Sequence, residues 1–138
     1  VLQPYHLLIK IVLKKVNCKK RLHVWGDVSK IIPMLLDIPV DILSHEFKAK
    51  PSLIDDFKNY SISKEICLGS VRSDNKKVES IDEIKNHILK GINVFDYKIS
   101  QIAPDCGLRQ MPRKNAFKKL ENLVKAGEEI YGKKGTFN

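Results

Sequence analysis

Three side chains able to bind a metal ion lie where short apolar stretches end: His23, Glu46 and Cys106. If each stretch is a strand of a parallel sheet, the carboxyl ends of the strands meet at one edge, where α/β proteins place their chemistry. An imidazole nitrogen, a carboxylate oxygen and a thiolate sulfur are ligands that zinc accepts. Three protein ligands leave a fourth position for substrate, which is the pattern of a catalytic zinc site.

Each of these residues also has an ordinary structural explanation. Cys106 could be a buried structural cysteine, and His23 could simply be hydrogen-bonded at a strand end. Glu46 could form an ion pair with Lys48 or with an arginine. Because chance is a poorer explanation for three such residues than for one, we favour the zinc-site interpretation.

The segments that would position these residues alternate between strand and helix patterns. The predicted strands are residues 22–25, 40–47, 65–71 and 99–103. The predicted helices are residues 5–16, 28–36, 51–60, 80–91 and 112–131. Ser80 and Glu83 have the spacing of a capping box at a helix start. In the last helix, one apolar face is predicted, formed by Ala116, Leu120, Leu123, Val124 and Ile130.

Alternating strands and helices predict an α/β fold with a parallel sheet and right-handed crossovers. Four βα units amount to half of a (β/α)8 barrel of the TIM type. A half barrel exposes strand edges, so we expect it to need its missing first half or a second copy of itself. The chain begins at Val1 rather than Met, and we expect it to be a fragment. Residues 1–131 are predicted to form the half barrel, and residues 132–138 a disordered tail.

Composition excludes several classes of protein. The chain has 138 residues, the size of one domain, and 43% of them are hydrophobic. The net charge of +9 would suit an anionic partner, but the basic residues are scattered and lack interleaved aromatic residues, which argues against nucleic-acid binding. Three cysteines without a CxxC pair indicate a reducing, cytoplasmic environment. No apolar run is long enough to span a membrane.

The sequence around the three candidate ligands resembles a known family. His23, the stretch Asp41-Ile42-Leu43-Ser44-His45-Glu46 and the stretch Pro104-Asp105-Cys106-Gly107-Leu108-Arg109 are similar in order and spacing to the zinc-binding half of cobalamin-independent methionine synthase. The similarity covers about residues 7–131. It is closest to the short archaeal form, which lacks the amino-terminal folate-binding barrel.

The resemblance implies a zinc-dependent methyltransferase of (β/α)8 fold. Zinc, held by His23, Glu46 and Cys106, would bind the thiol of homocysteine. A methyl group from 5-methyltetrahydrofolate polyglutamate, or from a methylcorrinoid protein, would then give methionine. By match to the family's Ser-x-Glu strand end, Ser44 and Glu46 would also contact the substrate.

The chain departs from the family pattern at two points. Trp25 stands where the family has a cysteine ligand, and Cys67 on the neighbouring strand is a remote substitute for it. Most of the family residues that grip the amino and carboxyl groups of homocysteine would lie in the missing first half. Two other hypotheses therefore stay open: methyl transfer to another thiol such as coenzyme M, or a catalytically silent half barrel that serves as a binding or assembly module.

Overall fold

A computed structural model describes residues 3–132 of the chain, with side chains from residue 7 onward. Of the predicted tail, residues 133–138 lie outside the described residues. Five α-helices lie within the described range: α1 (Gln3–Leu13), α2 (Ile32–Asp37), α3 (Ser52–Phe57), α4 (Ile81–Phe95) and α5 (Arg113–Tyr131). Four strands alternate with them: β1 (Arg21–Val24), β2 (Ile42–His45), β3 (Glu65–Val71) and β4 (Ile99–Pro104). None of these helices is long and apolar enough to cross a lipid bilayer.

The four strands form one parallel sheet in the order β1-β2-β3-β4. This confirms the predicted α/β fold of four βα units, the arrangement of half a (β/α)8 barrel. In the register, His23 lies opposite Ser44, Ser44 opposite Cys67, and Cys67 opposite Gln101. Side chains alternate between the two faces of a strand, so these four residues share one face of the sheet.

The opposite face of the sheet packs against the helices. Leu43, Ile66 and Leu68 from the strands join a single buried cluster with residues of α2, α3, α4 and α5. At ~25 cal/mol per Å² of buried apolar surface, this cluster is the main stabilising feature of the fold. The cluster covers one face of the sheet, and the face that carries His23 is available for a binding site.

Strand and helix bounds differ from the predictions mainly where a turn ends an element early. Residues 40–47 were predicted as one strand, but β2 covers only Ile42–His45. The Phe47 amide donates to His45 O at 3.0 Å, a tight turn that ends the ladder before Glu46. The predicted capping box is confirmed: Ser80 Oγ accepts from Glu83 N at 3.1 Å, and Glu83 Oε2 accepts from Ser80 N at 2.7 Å.

The predicted apolar face of α5 is only partly correct. Leu123 is buried, but Leu120 is 41% exposed and Val124 is 58% exposed. The buried side of the helix instead includes Lys119 and Asn122. Both side chains are held by Glu79, so polar contacts contribute to the orientation of this helix beside the buried Leu123 and Ala126.

Burial of His87 in α4 makes the stability of the fold dependent on pH. Its Nε2 donates to Gly69 O at 2.8 Å, and burial lowers the pKa of the imidazole to about 4. An unfolded histidine titrates near pH 6.5, so between pH 6.5 and 4 the unfolded state binds more protons than the folded state. Stability is therefore lost as pH falls through this window, by about 2 kcal/mol at pH 5.

We expect His87→Gln, which keeps a side-chain donor for Gly69 O, to remove about 2 kcal/mol from the drop in unfolding free energy between pH 7 and pH 5. Urea unfolding at the two pH values measures this drop. The control is Ile88→Val, which changes packing in the same helix turn and should lower stability equally at both pH values. A His87→Gln protein with the pH dependence of the parent would contradict the assignment.

Candidate metal and substrate site

The structure places all three candidate ligands at the carboxyl edge of the sheet. His23 is the third residue of β1, Glu46 follows the last residue of β2, and Cys106 lies two residues beyond the end of β4. Glu46 and Cys106 thus lie in the segments that follow β2 and β4, whereas His23 lies within β1. This edge is the one where parallel α/β sheets place their chemistry.

His23 is oriented by its neighbour on β2. Its Nδ1 lies 3.0 Å from Ser44 Oγ in a hydrogen bond between register partners. This bond occupies Nδ1, so Nε2 is the nitrogen that can bind a ligand. A hydrogen bond to the second ring nitrogen is how metal-binding histidines are usually oriented.

Glu46 is turned toward the end of β1. Its Oε2 accepts a hydrogen bond from Gly26 N at 3.1 Å, and Gly26 has a φ of 87°, in the region that favours glycine. The ion pair with Lys48 that the sequence left open does not hold Glu46, because Lys48 Nζ donates to Glu83 O at 3.1 Å. The carboxylate of Glu46 therefore ties the end of β2 to the turn after β1.

Cys106 is exposed, which rules out the buried structural role that the sequence left open. It lines an open cavity of about 500 Å³ at the carboxyl edge. Other residues around the cavity include Arg21, His23, Ser44, Ala103 and Asp105. The cavity thus brings together His23 of β1, Ser44 of β2 and Cys106 of the turn after β4. Its volume is in the range of small-molecule sites.

Cys67 and Trp25 occupy different levels of the sheet. Cys67 is buried in the middle of β3, where Arg21 Nη1 lies 3.8 Å from its Sγ. In the register Cys67 is level with His23, two residues before the level of Trp25, and β3 is separated from β1 by β2, so it is not on the neighbouring strand as expected. Cys67 is therefore a poor substitute for a ligand at position 25. Trp25 directly follows β1 and is 76% exposed. The alternation along β1 places it on the exposed side with Arg21 and His23.

Sequence reasoning gave no role to Asp105, which is 1% exposed beside Cys106. Its Oδ1 accepts from Lys48 N at 3.0 Å and its Oδ2 from Ala49 N at 2.6 Å. Burial raises the pKa of this carboxyl to about 7, and the nearby charge of Glu46 acts in the same direction. The two amide donors oppose the rise. An acidic residue directly after a predicted strand was the signal in the sequence.

The three residues are of the types that bind zinc, but their side chains do not converge on one point. Among residues 3–132, no three His, Cys, Asp or Glu side chains lie close enough to one another to hold a metal ion. His23 and Cys106 share the cavity, whereas Glu46 is turned to Gly26. The assignment of His23, Glu46 and Cys106 as ligands therefore stays a prediction.

The sequence of the chain matches a family model and several known proteins. The family model described as "Cobalamin-independent synthase, Catalytic domain" matches residues 8–129. A methionine synthase of Methanothermobacter marburgensis is 42% identical over 110 residues, which are 79% of this chain and 36% of the relative. The methionine synthase of Methanocaldococcus jannaschii is 38% identical over 131 residues, which are 88% of this chain and 42% of the relative.

A solved structure has the same fold. It is a B12-independent methionine synthase from Shewanella sp. W3-18-1 in complex with selenomethionine, and it superposes with a TM-score of 0.70. The two sequences are 17% identical, and the match covers 94% of this chain and 43% of the other. This chain spans about two fifths or less of the curated relatives it matches. Because the family model matches residues 8–129, which are most of this chain, the chain belongs to the cobalamin-independent methionine synthase family.

Proposed function

We propose that this chain is the zinc-binding part of a homocysteine S-methyltransferase of the methionine synthase type. The observation that carries the proposal is the cavity at the carboxyl edge of the sheet, where His23, Ser44 and Cys106 come together. The methyl donor would be 5-methyltetrahydrofolate polyglutamate or a methylcorrinoid protein. Family membership and the name that the relatives share, methionine synthase, support the same reaction.

His23 Nε2, a carboxylate oxygen of Glu46 and the Cys106 thiolate would hold the zinc ion. When bound, zinc removes the proton from a coordinated thiol, whose pKa is otherwise near 8.5. Ser44 keeps the His23 ring in place through Nδ1. To act as a ligand, Glu46 would have to give up its hydrogen bond from Gly26 N. The homocysteine sulfur would supply the electron pair of the new bond to the methyl carbon, and the electron pair of the broken carbon–nitrogen or carbon–cobalt bond would stay on the donor. A departing nitrogen would also take up a proton.

The outer strands of the sheet and the exposed apolar side chains of two helices are surfaces that another half barrel would cover. β1 and β4 are the outer strands of the described sheet. Large apolar side chains are exposed on the helices at both ends of the chain: Leu7, Leu8, Ile11 and Val12 on α1, and Phe117, Leu120 and Val124 on α5. Covering such surface is favourable. We infer that residues 1–131 form the second half of a barrel, joined by the missing first half or by a second copy.

A cytoplasmic location is part of the same proposal. Cys18, Cys67 and Cys106 are all free thiols. Free thiols, one of them a proposed metal ligand, are suited to a reducing compartment.

A catalytically silent half barrel is the second candidate, and two observations favour it. Trp25 stands at the position of a family ligand and is exposed. In addition, the described part of the chain holds no preformed group of three metal-binding side chains. In this alternative, the barrel half would serve assembly or binding and would not hold zinc through Cys106.

Titration with Co²⁺, a coloured stand-in for zinc, separates the two candidates. If Cys106 is a ligand, we expect the parent chain to gain a thiolate-to-cobalt absorption band that Zn²⁺ removes and that Cys106→Ser abolishes. Cys18→Ser is the matched control, because Cys18 is also exposed but precedes β1 at the opposite edge of the sheet. Its band should equal that of the parent. A parent without any thiolate band would favour the silent half barrel.

A further inference from the structure

We propose that Asp105 is a positioning residue that holds the Cys106 turn against the segment that follows Glu46. The inference rests on the proposed function, because it assigns Asp105 a task in assembling the ligands of that site. It adds a residue that contacts neither substrate nor metal.

The carboxylate of Asp105 joins two ligand-bearing segments. Its oxygens accept from the amides of Lys48 and Ala49, which lie two and three residues beyond Glu46. Asp105 itself directly precedes Cys106, and its own amide donates to Val71 O at 2.9 Å. A single buried side chain thus fixes the distance between the end of β2 and the end of β4.

The neighbouring strand leaves room for this carboxylate. A Cβ atom on Gly69 of β3 would lie 2.1 Å from Asp105 Oδ1 and 2.6 Å from His45 O. Gly69 O is also fixed by His87, so this part of β3 has little freedom to move away. The absence of a side chain at position 69 is therefore what allows Asp105 to reach across β3 to the amides of residues 48 and 49.

A carboxylate is an expensive group to bury, and a purely structural link could use a neutral side chain at lower cost. An asparagine could accept one of the two amide bonds, but its NH2 group would face the second amide as a donor. The two-acceptor geometry of Asp105 is therefore specific to holding both amides. Groups that orient metal ligands typically change metal affinity about tenfold to a hundredfold when they are removed.

Two variants and one control test the proposal by Co²⁺ titration. Asp105→Asn removes one acceptor, and Gly69→Ala displaces the carboxylate without removing it. Both are expected to weaken Co²⁺ binding about tenfold to a hundredfold. Ile99→Val is the control, because Ile99 belongs to the core but lies at the opposite end of β4 from Asp105. Urea is added to the control until its unfolding free energy equals that of the variants. An affinity loss in Asp105→Asn no greater than in this stability-matched control would overturn the positioning role.

Hydrogen exchange gives a readout that does not depend on metal. The amides of Lys48 and Ala49 should exchange faster in Asp105→Asn than in the parent, whereas the Ile99→Val protein should keep their protection. Unchanged protection of both amides would show that the carboxylate does not hold this segment, and would overturn the proposal. A parent that shows no thiolate band would instead overturn the proposed function, and the exchange rates alone would then decide whether Asp105 links the two segments.

Discussion

Replacing Lys119 with methionine is expected to lower the free energy of unfolding by about 3–5 kcal/mol. Lys119 is 0% exposed, and its Nζ lies 2.7 Å from Glu79 Oε2. Methionine fills most of the space of the lysine side chain but leaves the carboxylate of Glu79 buried without its counter-charge. Breaking a buried ion pair from one side is costly because the remaining charge has lost both water and partner.

The double variant Lys119→Met/Glu79→Gln tests that explanation. Glutamine is neutral and keeps an acceptor for Arg72 N, which donates to Glu79 Oε1 at 2.9 Å. Since no uncompensated charge remains, we expect the double variant to regain at least half of the lost stability. Urea unfolding at pH 7 measures all the variants.

Lys118→Met is the matched surface control for this experiment. Lys118 is the adjacent residue, and it pairs with Glu121 where both side chains are about half exposed. Exposed pairs contribute little, so the change should stay within about 0.5 kcal/mol. A Lys119→Met protein within 1 kcal/mol of the parent would show that the pair does not stabilise the fold.

The Lys119–Glu79 ion pair is a part of the fold that the sequence did not predict. The periodicity of the sequence predicted β3 at its observed bounds and the capping box of α4. It did not predict the buried face of α5, because a hydrophobic pattern assigns lysine and asparagine to solvent. Lys119 is buried because Glu79, 40 residues earlier, pairs with it, and Asn122 because its Nδ2 donates to Glu79 O at 2.7 Å. Such contacts between distant residues leave no periodic signal.

The candidate site shows the same division between local and distant information. That His23, Glu46 and Cys106 lie at strand ends follows from local patterns, and the sequence predicted it. The role of Asp105 depends on backbone amides 56 and 57 residues away, which no side-chain motif encodes. The direction of Glu46 likewise depends on Gly26 N. The sequence could therefore predict at which edge of the sheet the candidate ligands lie, but not the hydrogen bonds that connect the segments at that edge.

Replacing Trp25 with cysteine is expected to strengthen Zn²⁺ binding by about a hundredfold or more. Removing groups that only orient ligands changes affinity by about tenfold to a hundredfold, and a direct thiolate ligand should contribute at least the upper end of that range. Thiolates also favour zinc over harder cations. Position 25 suits the role because it lies on the same exposed side of the chain as His23, two residues earlier.

Competition with a coloured chelator measures the zinc affinity of the parent, of Trp25→Cys and of Trp25→Ser. The serine variant is the control, since it removes the bulk of the indole without adding a soft ligand. Adding Cys106→Ser to Trp25→Cys should remove most of the gain, because both thiolates would bind the same ion. Equal affinity in the cysteine and serine variants would mean that position 25 is not a ligand position here, and that the alignment of β1 with the family's metal-binding strand is wrong.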